Sequence, residues 1–203
     1  MADVRAIYAV GSSLITWLNR AYDAFEWPGD PKDKPSCSFQ LVSSQELTGT
    51  PKLSPGVIFF LYRVLPNQHA RHPSPRTTSA SGRTSLALDL HYLVFPWVDT
   101  AQKESLLLAW TMRALESHPV IGPGDLVDGG FTEGQGVQIV LGELSNEDLM
   151  RIWDAVEPAY RLSVPYIARV VQIDLDSLPD ARPVVARELV FEQKPLVPSK
   201  ERP

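Results

Sequence analysis

In residues 86–115 the chain reads LALDLHYLVFPWVDTAQKESLLLAWTMRAL, a strand pattern that runs directly into a helix pattern. Every second residue of the first part is apolar, which predicts a strand with one well-buried face. Asp89 and His91 interrupt the other row of this strand. The apolar row consists of Leu86, Leu88, Leu90, Tyr92 and Val94. We expect the rest of the chain to be arranged around this unit.

The transition from strand to helix carries its own signals. Pro96 is expected to end the strand, because proline lacks the N–H that a ladder requires. Asp99, followed three residues later by Gln102, predicts the N-terminal cap of the helix. His118 and Pro119 mark its expected end. The side chains predicted to face the core are Leu107, Leu108, Trp110, Met112 and Leu115.

The preceding residues have equally distinct periods. Residues 4–25 repeat apolar side chains at three- and four-residue steps, which predicts a long helix. Residues 36–42 and 57–65 predict strands. The second of these is apolar on both faces, as expected of a central strand that is covered on both sides.

The C-terminal half predicts three more strands and one helix. A glycine-rich connection leads to a strand over 137–141, and Ser145 with Asp148 forms a capping-box pattern before a helical stripe. Residues 164–175 predict the longest strand, with Pro165 at its start, and residues 184–191 predict a last one. The stripe is Leu149, Ile152, Trp153 and Val156, and the row expected on the long strand is Ile167, Val171, Ile173 and Leu175.

This order of elements predicts an α+β fold, with a mostly antiparallel, mixed sheet of about five to six strands and three helices on one side of it. We expect one domain over residues 1–194, with a long loop at 66–85, and a flexible, proline-bearing tail over 195–203. The 203 residues are 44% hydrophobic and 21% charged, as in globular domains. No apolar run is long enough for a membrane span, and no secretory signal precedes the first helix, so we expect assembly in a cytoplasm.

Charge is distributed unevenly along the chain. From Leu47 to Leu88 there is no acidic residue, so the rest of the chain carries −10 against an overall −5. Residues 133–157 are acidic, and opposite charges on opposite flanks favour contacts between copies or with a charged partner. Too few basic residues cluster for nucleic acid. The candidate interface residues are Arg63, Arg71, Arg76, Arg83, Glu147, Asp148 and Arg151.

The sequence offers little for catalysis or metal binding. His69 and His72 lie in the loop without an element to align them, and the single cysteine, Cys37, excludes an internal disulfide. Asp89 and His91 share one face of a strand and could pair an acid with a base, although a polar row at a sheet face explains them more simply. We therefore expect no catalytic residue, cofactor or metal.

Three pieces of the sequence carry a family likeness: the LDLHYL strand, SHPVI after the helix, and IWDAV followed by YRLSVPY. Over residues 1–176 the chain resembles the N-terminal domain of tail-terminating cap proteins of phage-tail-like contractile injection systems. The resemblance implies a hexameric ring that contacts the last inner-tube and sheath subunits, stops polymerisation and fixes length. It also implies residence in a phage-tail-like particle that can be released.

Two other functions remain open at this stage. The chain could be a soluble adaptor of the same particle that recruits cargo or a partner through the 66–85 loop. Alternatively, a small α+β enzyme could use Asp89 and His91 together with Ser163 or Arg169. The sequence favours the structural cap, because neither alternative has a motif of its own.

Overall fold

The computed structural model describes residues 4–68, 85–126, 136–156 and 159–174. Its helices are α1 (Ala6–Ala24), α2 (Ala101–Ser117) and α3 (Asn146–Ala155). The strands are β1 (Ser38–Val42), β2 (Gly56–Pro66), β3 (Ser85–Trp97), β4 (Val120–Ile121), β5 (Val137–Leu141) and β6 (Val164–Asp174). Single 3₁₀ turns occupy Pro31–Asp33 and Gln45–Leu47.

The described strands form one six-stranded sheet in the order β1-β2-β3-β6-β5-β4. β1 runs parallel to β2, and every other neighbouring pair is antiparallel. The α+β class and the mixed, mostly antiparallel sheet are therefore confirmed. β3 lies in the middle with the hairpin partner β2 on one side and the distant β6 on the other.

Helices cover both faces of this sheet, so the expectation that they lie on one side is wrong. α1 and α2 pack on one face, where Val57 and Phe59 of β2 point. α3 packs on the other, where its Trp153 meets Ile58 and Phe60. The physical reason lies in β2 itself, because both of its rows are apolar and each requires cover.

The strand–helix unit at the centre differs from expectation at its junction. β3 continues through Pro96 to Trp97, because beyond Val94 it pairs only with β2 and a missing N–H on its other side breaks no ladder. The helix cap is Thr100, whose hydroxyl accepts the Lys103 N–H, rather than Asp99. Asp99 instead forms an ion pair with Lys103, at 2.8 Å between carboxylate and Nζ.

The row of side chains predicted on β6 is wrong, because this strand contains a bulge. Leu88 faces Val171 and Leu90 faces Ala168, so β6 has one extra residue between these pairs. The extra residue reverses the alternation, and Ile167 therefore does not share a row with Val171. β6 is also not the longest strand, since it has 11 residues against 13 in β3.

Local predictions elsewhere agree with the structure, with one omission. α1, β1, β2 and β5 form where their periods predict, and the Ser145 hydroxyl caps α3 by accepting the Asp148 N–H. The short strand β4 was missed inside the glycine-rich connection. The predicted strand at 184–191, the 195–203 tail and most of the 66–85 loop lie outside the described residues.

Candidate assembly interface

The outer side of β2 is uncovered along its second half. β1 ends at Val42, opposite Phe60. From Arg63 to Pro66 no strand of the described residues pairs with this side, and all four residues are exposed. We call this segment the β2 edge. Unpaired strand edges are prone to pairing with other chains, so the β2 edge is a candidate contact surface.

The neighbouring edge of β1 is partly closed by a side chain of α1. The Asn19 amide donates to the Phe39 carbonyl at 3.1 Å, and its oxygen accepts the Phe39 N–H at 3.0 Å. This side chain takes the place of a neighbouring strand. The outer N–H and C=O of Phe39 are thereby unavailable for pairing with another chain.

A groove of ≈ 680 Å³ opens next to Tyr62, between the start of α1, the end of β1 and strand β2. Val4 and Tyr8 form one wall and are 85% and 70% exposed. Tyr92 also lines the groove, and its buried hydroxyl has no hydrogen-bond partner among the described residues. Burial raises the pKa of Tyr92, so this hydroxyl stays protonated. Exposed apolar side chains beside an open strand are typical of a docking surface.

Two of the candidate charged residues, Arg63 and Asp148, act on the same tyrosine, Tyr62. Arg63 lies over the Tyr62 ring, with 5.6 Å from Cζ to the ring centroid. Burial raises the pKa of Tyr62, Arg63 opposes this shift, and the carboxylate of Asp148 adds to it. Arg63 and Asp148 thus both act on the Tyr62 phenol, in opposite directions. Glu147 and Arg151 form an exposed ion pair at 2.6 Å, and Arg71, Arg76 and Arg83 lie outside the described residues.

A second uncovered edge lies at the other end of the sheet. β4 pairs only with Val137 and Gln138 of β5, and the Ile139 N–H donates to the Pro119 carbonyl. Leu141 follows without a strand of the described residues on its outer side and is 55% exposed. We call Ile139–Leu141 the β5 edge, and exposed Glu143 follows it.

Asp89 and Ser163, two of the residues suggested for catalysis, each form hydrogen bonds with residues outside that set. Asp89 accepts a hydrogen bond from the Asn67 amide at 2.8 Å. The Ser163 hydroxyl accepts from the Trp153 indole and donates to the Arg161 carbonyl. His91 is paired with Ile167 of β6, whereas Ser163 lies just before the first residue of that strand and Arg169 lies at the β6 bulge. Among the described ranges no group of three His, Cys, Asp or Glu side chains could hold a metal ion.

The buried imidazole of His91 predicts a dependence of stability on pH. Burial and, to a lesser extent, Arg63 lower its pKa, and Asp89 partly offsets them. The unfolded chain therefore takes up this proton before the folded one. The part of the free energy of unfolding that depends on neutral His91 is fully present above the unfolded pKa of about 6.5. It is lost as the pH falls from there towards the lower folded pKa.

We expect the free energy of unfolding to fall between pH 7.5 and 5 by more in the wild type than in His91→Gln. Urea denaturation at a series of pH values measures this difference. The wild type and the variant should show the same slope above pH 7. Parallel curves across the whole range would show that His91 is as readily protonated in the fold as in the unfolded chain.

The sequence placed Arg63 among the candidate interface residues and gave no place there to Asn19, Tyr8 or Leu141. An asparagine on a helix gives no local sign that it will pair with a strand 20 residues later. The signal for Tyr8 was available, because it lies off the apolar stripe of α1. Leu141 is recognisable only once β4 is known to end before it.

Comparison with known sequences identifies a family. The model of the Pvc16 N-terminal domain matches residues 9–187. No sequence of the curated proteins matches significantly.

None of the helices in the described ranges is long and apolar enough to cross a membrane.

Two solved structures have a similar fold. One is the sheath/tube terminator, in the extended state, of the extracellular contractile injection system PVC, with 21% identity, a TM-score of 0.54 and coverage of 93% of this chain and 64% of that one. The other is the tube-terminating cap of the anti-feeding prophage, with 17% identity, a TM-score of 0.51 and coverage of 94% and 62%. The chain thus spans just under two thirds of the length of each.

Proposed function

Because the chain belongs to the Pvc16 N-terminal domain family, we propose that it is a structural cap that closes the distal end of a contractile injection system. It would stop polymerisation of the inner tube and the sheath and so fix their length. The observation that carries this proposal is the fold shared with a sheath/tube terminator and a tube-terminating cap over more than nine tenths of the chain. Its partners would be the inner-tube protein, the sheath protein and further copies of itself.

The surface chemistry supports an assembly protein rather than an enzyme. The β2 edge, the groove and the β5 edge offer exposed apolar side chains and uncovered backbone, which suit protein contacts. Asp89 and Ser163 are bonded to other groups, and neither is joined to His91 by a hydrogen bond within the described ranges. We therefore infer a non-enzymatic protein that acts by surface complementarity.

We propose a closed ring as the working form, with six copies as the family resemblance implies. A chain whose two contact surfaces differ can close into a ring by head-to-tail association. Contacts would involve Arg63 and the acidic face of α3, where Glu147, Asp148 and Arg151 are exposed. The loop arginines Arg71, Arg76 and Arg83 would extend the basic part of this surface. Assembly would take place in the cytoplasm, and the finished particle can be released.

Deletion of the encoding gene in its own host tests the proposal. We expect particles with overlong or ragged tubes and sheaths, or no sheaths, because nothing stops polymerisation. Electron microscopy of purified particles measures both lengths, and restoring the gene in trans is the control. Particles of normal length with a normally closed end would refute the cap function, and loss of cargo from such particles would favour an adaptor.

A further inference from the structure

We propose that successive copies of this chain join head to tail through the β2 edge of one copy and the β5 edge of the next. The inference rests on the proposed ring and names the surfaces that build it. Both surfaces lie within the described residues, on the second strand from each end of one sheet, beyond the points where β1 and β4 stop pairing. Joining them would continue the sheet from copy to copy.

The β2 edge has the features of a strand-accepting surface. Tyr62 is an extra residue of β2 between the pairs that Leu61 and Arg63 form with β3, and so makes a bulge. This bulge separates the β2 edge from the part of β2 that pairs with β1. Val64 and Leu65 remain 38% and 40% exposed although they pair with Leu90 and Asp89 of β3. Main-chain pairing along such an edge supplies affinity, and side chains on either face supply specificity.

The β5 edge is oriented to complete that pairing. The Gly142 N–H donates to the carbonyl of Pro165 in β6. The Ile139 N–H donates in the opposite direction, to the carbonyl of Pro119 on the β4 side. Since successive residues of a strand point their backbone groups to alternate sides, those of Leu141 face outward, as those of Ile139 do. No strand of the described residues pairs with this side of Leu141, which therefore offers an outward N–H and C=O together with an apolar side chain.

Charge favours a second copy of this chain as the partner. The β2 edge begins with the exposed cation Arg63, and the β5 edge is followed by the exposed anion Glu143. Opposite charges would meet across the head-to-tail contact, whereas pairing of two β2 edges would bring two arginines together. Like charges placed in contact across an interface select against that alternative.

The strand pairing alone is short, and the groove supplies the additional contact area. A stable contact buries about 800 Å² on each partner, more than a few paired residues provide. Val4 and Tyr8 are largely exposed and line the groove that reaches Tyr62, the residue before the β2 edge. A neighbouring copy whose β5 edge pairs with β2 would also cover this groove.

Cross-linking in assembled particles tests the pairing. Val64→Cys and Leu141→Cys are introduced singly and together into a Cys37→Ala chain that replaces the wild type, and purified particles are treated with a short bifunctional maleimide. We expect a ladder of cross-linked copies from the double variant and a dimer when the two single variants are co-expressed. Each single variant alone should remain monomeric on a denaturing gel.

A matched control uses Leu106→Cys with Leu141→Cys, because Leu106 is 37% exposed but lies on α2. This pair should give no ladder. If the Val64 and Leu141 double variant caps particles at normal length without cross-links, the pairing is overturned while the cap function stands. Dimers from either single variant alone would overturn it in favour of a like-with-like contact.

A charge exchange provides an independent readout. Arg63→Glu and Glu143→Arg should each lower the yield of cross-linked ladder by about tenfold, and the double exchange should restore it. A merely structural role of either residue would not produce this rescue. Ladder yields that do not respond to the single exchanges would remove the charge argument and overturn the proposed pairing.

Discussion

Replacing Gly56 with alanine is expected to lower the free energy of unfolding by about 3 kcal/mol, the upper end for overpacking. A Cβ at this position would lie 1.9 Å from the Ser38 carbonyl oxygen and 2.5 Å from its nitrogen. Both are backbone atoms of the neighbouring strand and have no rotamer by which to move away. The parallel pairing of β1 with β2 would have to open at its first residue pair.

Urea denaturation of the purified chain measures this loss. Gly122→Ala is the matched control, because a Cβ there meets nothing within 4 Å. We expect that control to change stability by less than about 0.5 kcal/mol. Equal denaturation midpoints for both variants would show that Ser38 and Gly56 are not paired as described.

Trp110→Ala is expected to cost about 3–5 kcal/mol, the usual range for removing a large aromatic side chain from a core. Trp110 is 8% exposed and lies between α1 and the sheet. Its ring meets Tyr22 edge-on at 4.8 Å between centroids, and it also contacts Phe25 and Phe39. Its removal would leave a cavity where three elements meet.

Leu106→Ala is the matched control, because it truncates a partly exposed side chain of α2, the helix that also carries Trp110. Leu106 is 37% exposed, so this variant should lose no more than about 1 kcal/mol. Denaturation followed by far-ultraviolet circular dichroism compares the two variants without relying on tryptophan fluorescence. A loss below about 1 kcal/mol for Trp110→Ala would contradict the aromatic packing described here.

The elements of this fold were predictable because their signals are local. The α1 stripe, the two apolar rows of β2 and the Ser145 cap each depend on residues within one or two turns or strand repeats. The side of the sheet that α3 covers was not predictable in the same way. Its stripe shows that one face is buried, but not against which face of β2.

Errors arose where a residue's role depends on a distant neighbour. Pro96 is tolerated in β3 because β6 begins at Val164, opposite Val94, and does not reach Pro96. The β6 bulge is set by pairing with β3, whose sequence lies about 80 residues earlier. The same distinction applies to the candidate contact surfaces. Charge in the sequence was enough to propose Arg63, whereas the uncovered edges depend on where β1 and β4 end.

The central place of β3 also sets an order of events during synthesis. β2 and α2 lie next to β3 in the chain, whereas β6 follows only after α2, β4, β5 and α3. At translation rates of about 5–20 residues per second, the roughly 80 residues between Val94 and Asp174 take about 4–16 s to emerge. For that interval the nascent chain holds an apolar strand in the middle of its future sheet with one side unpaired.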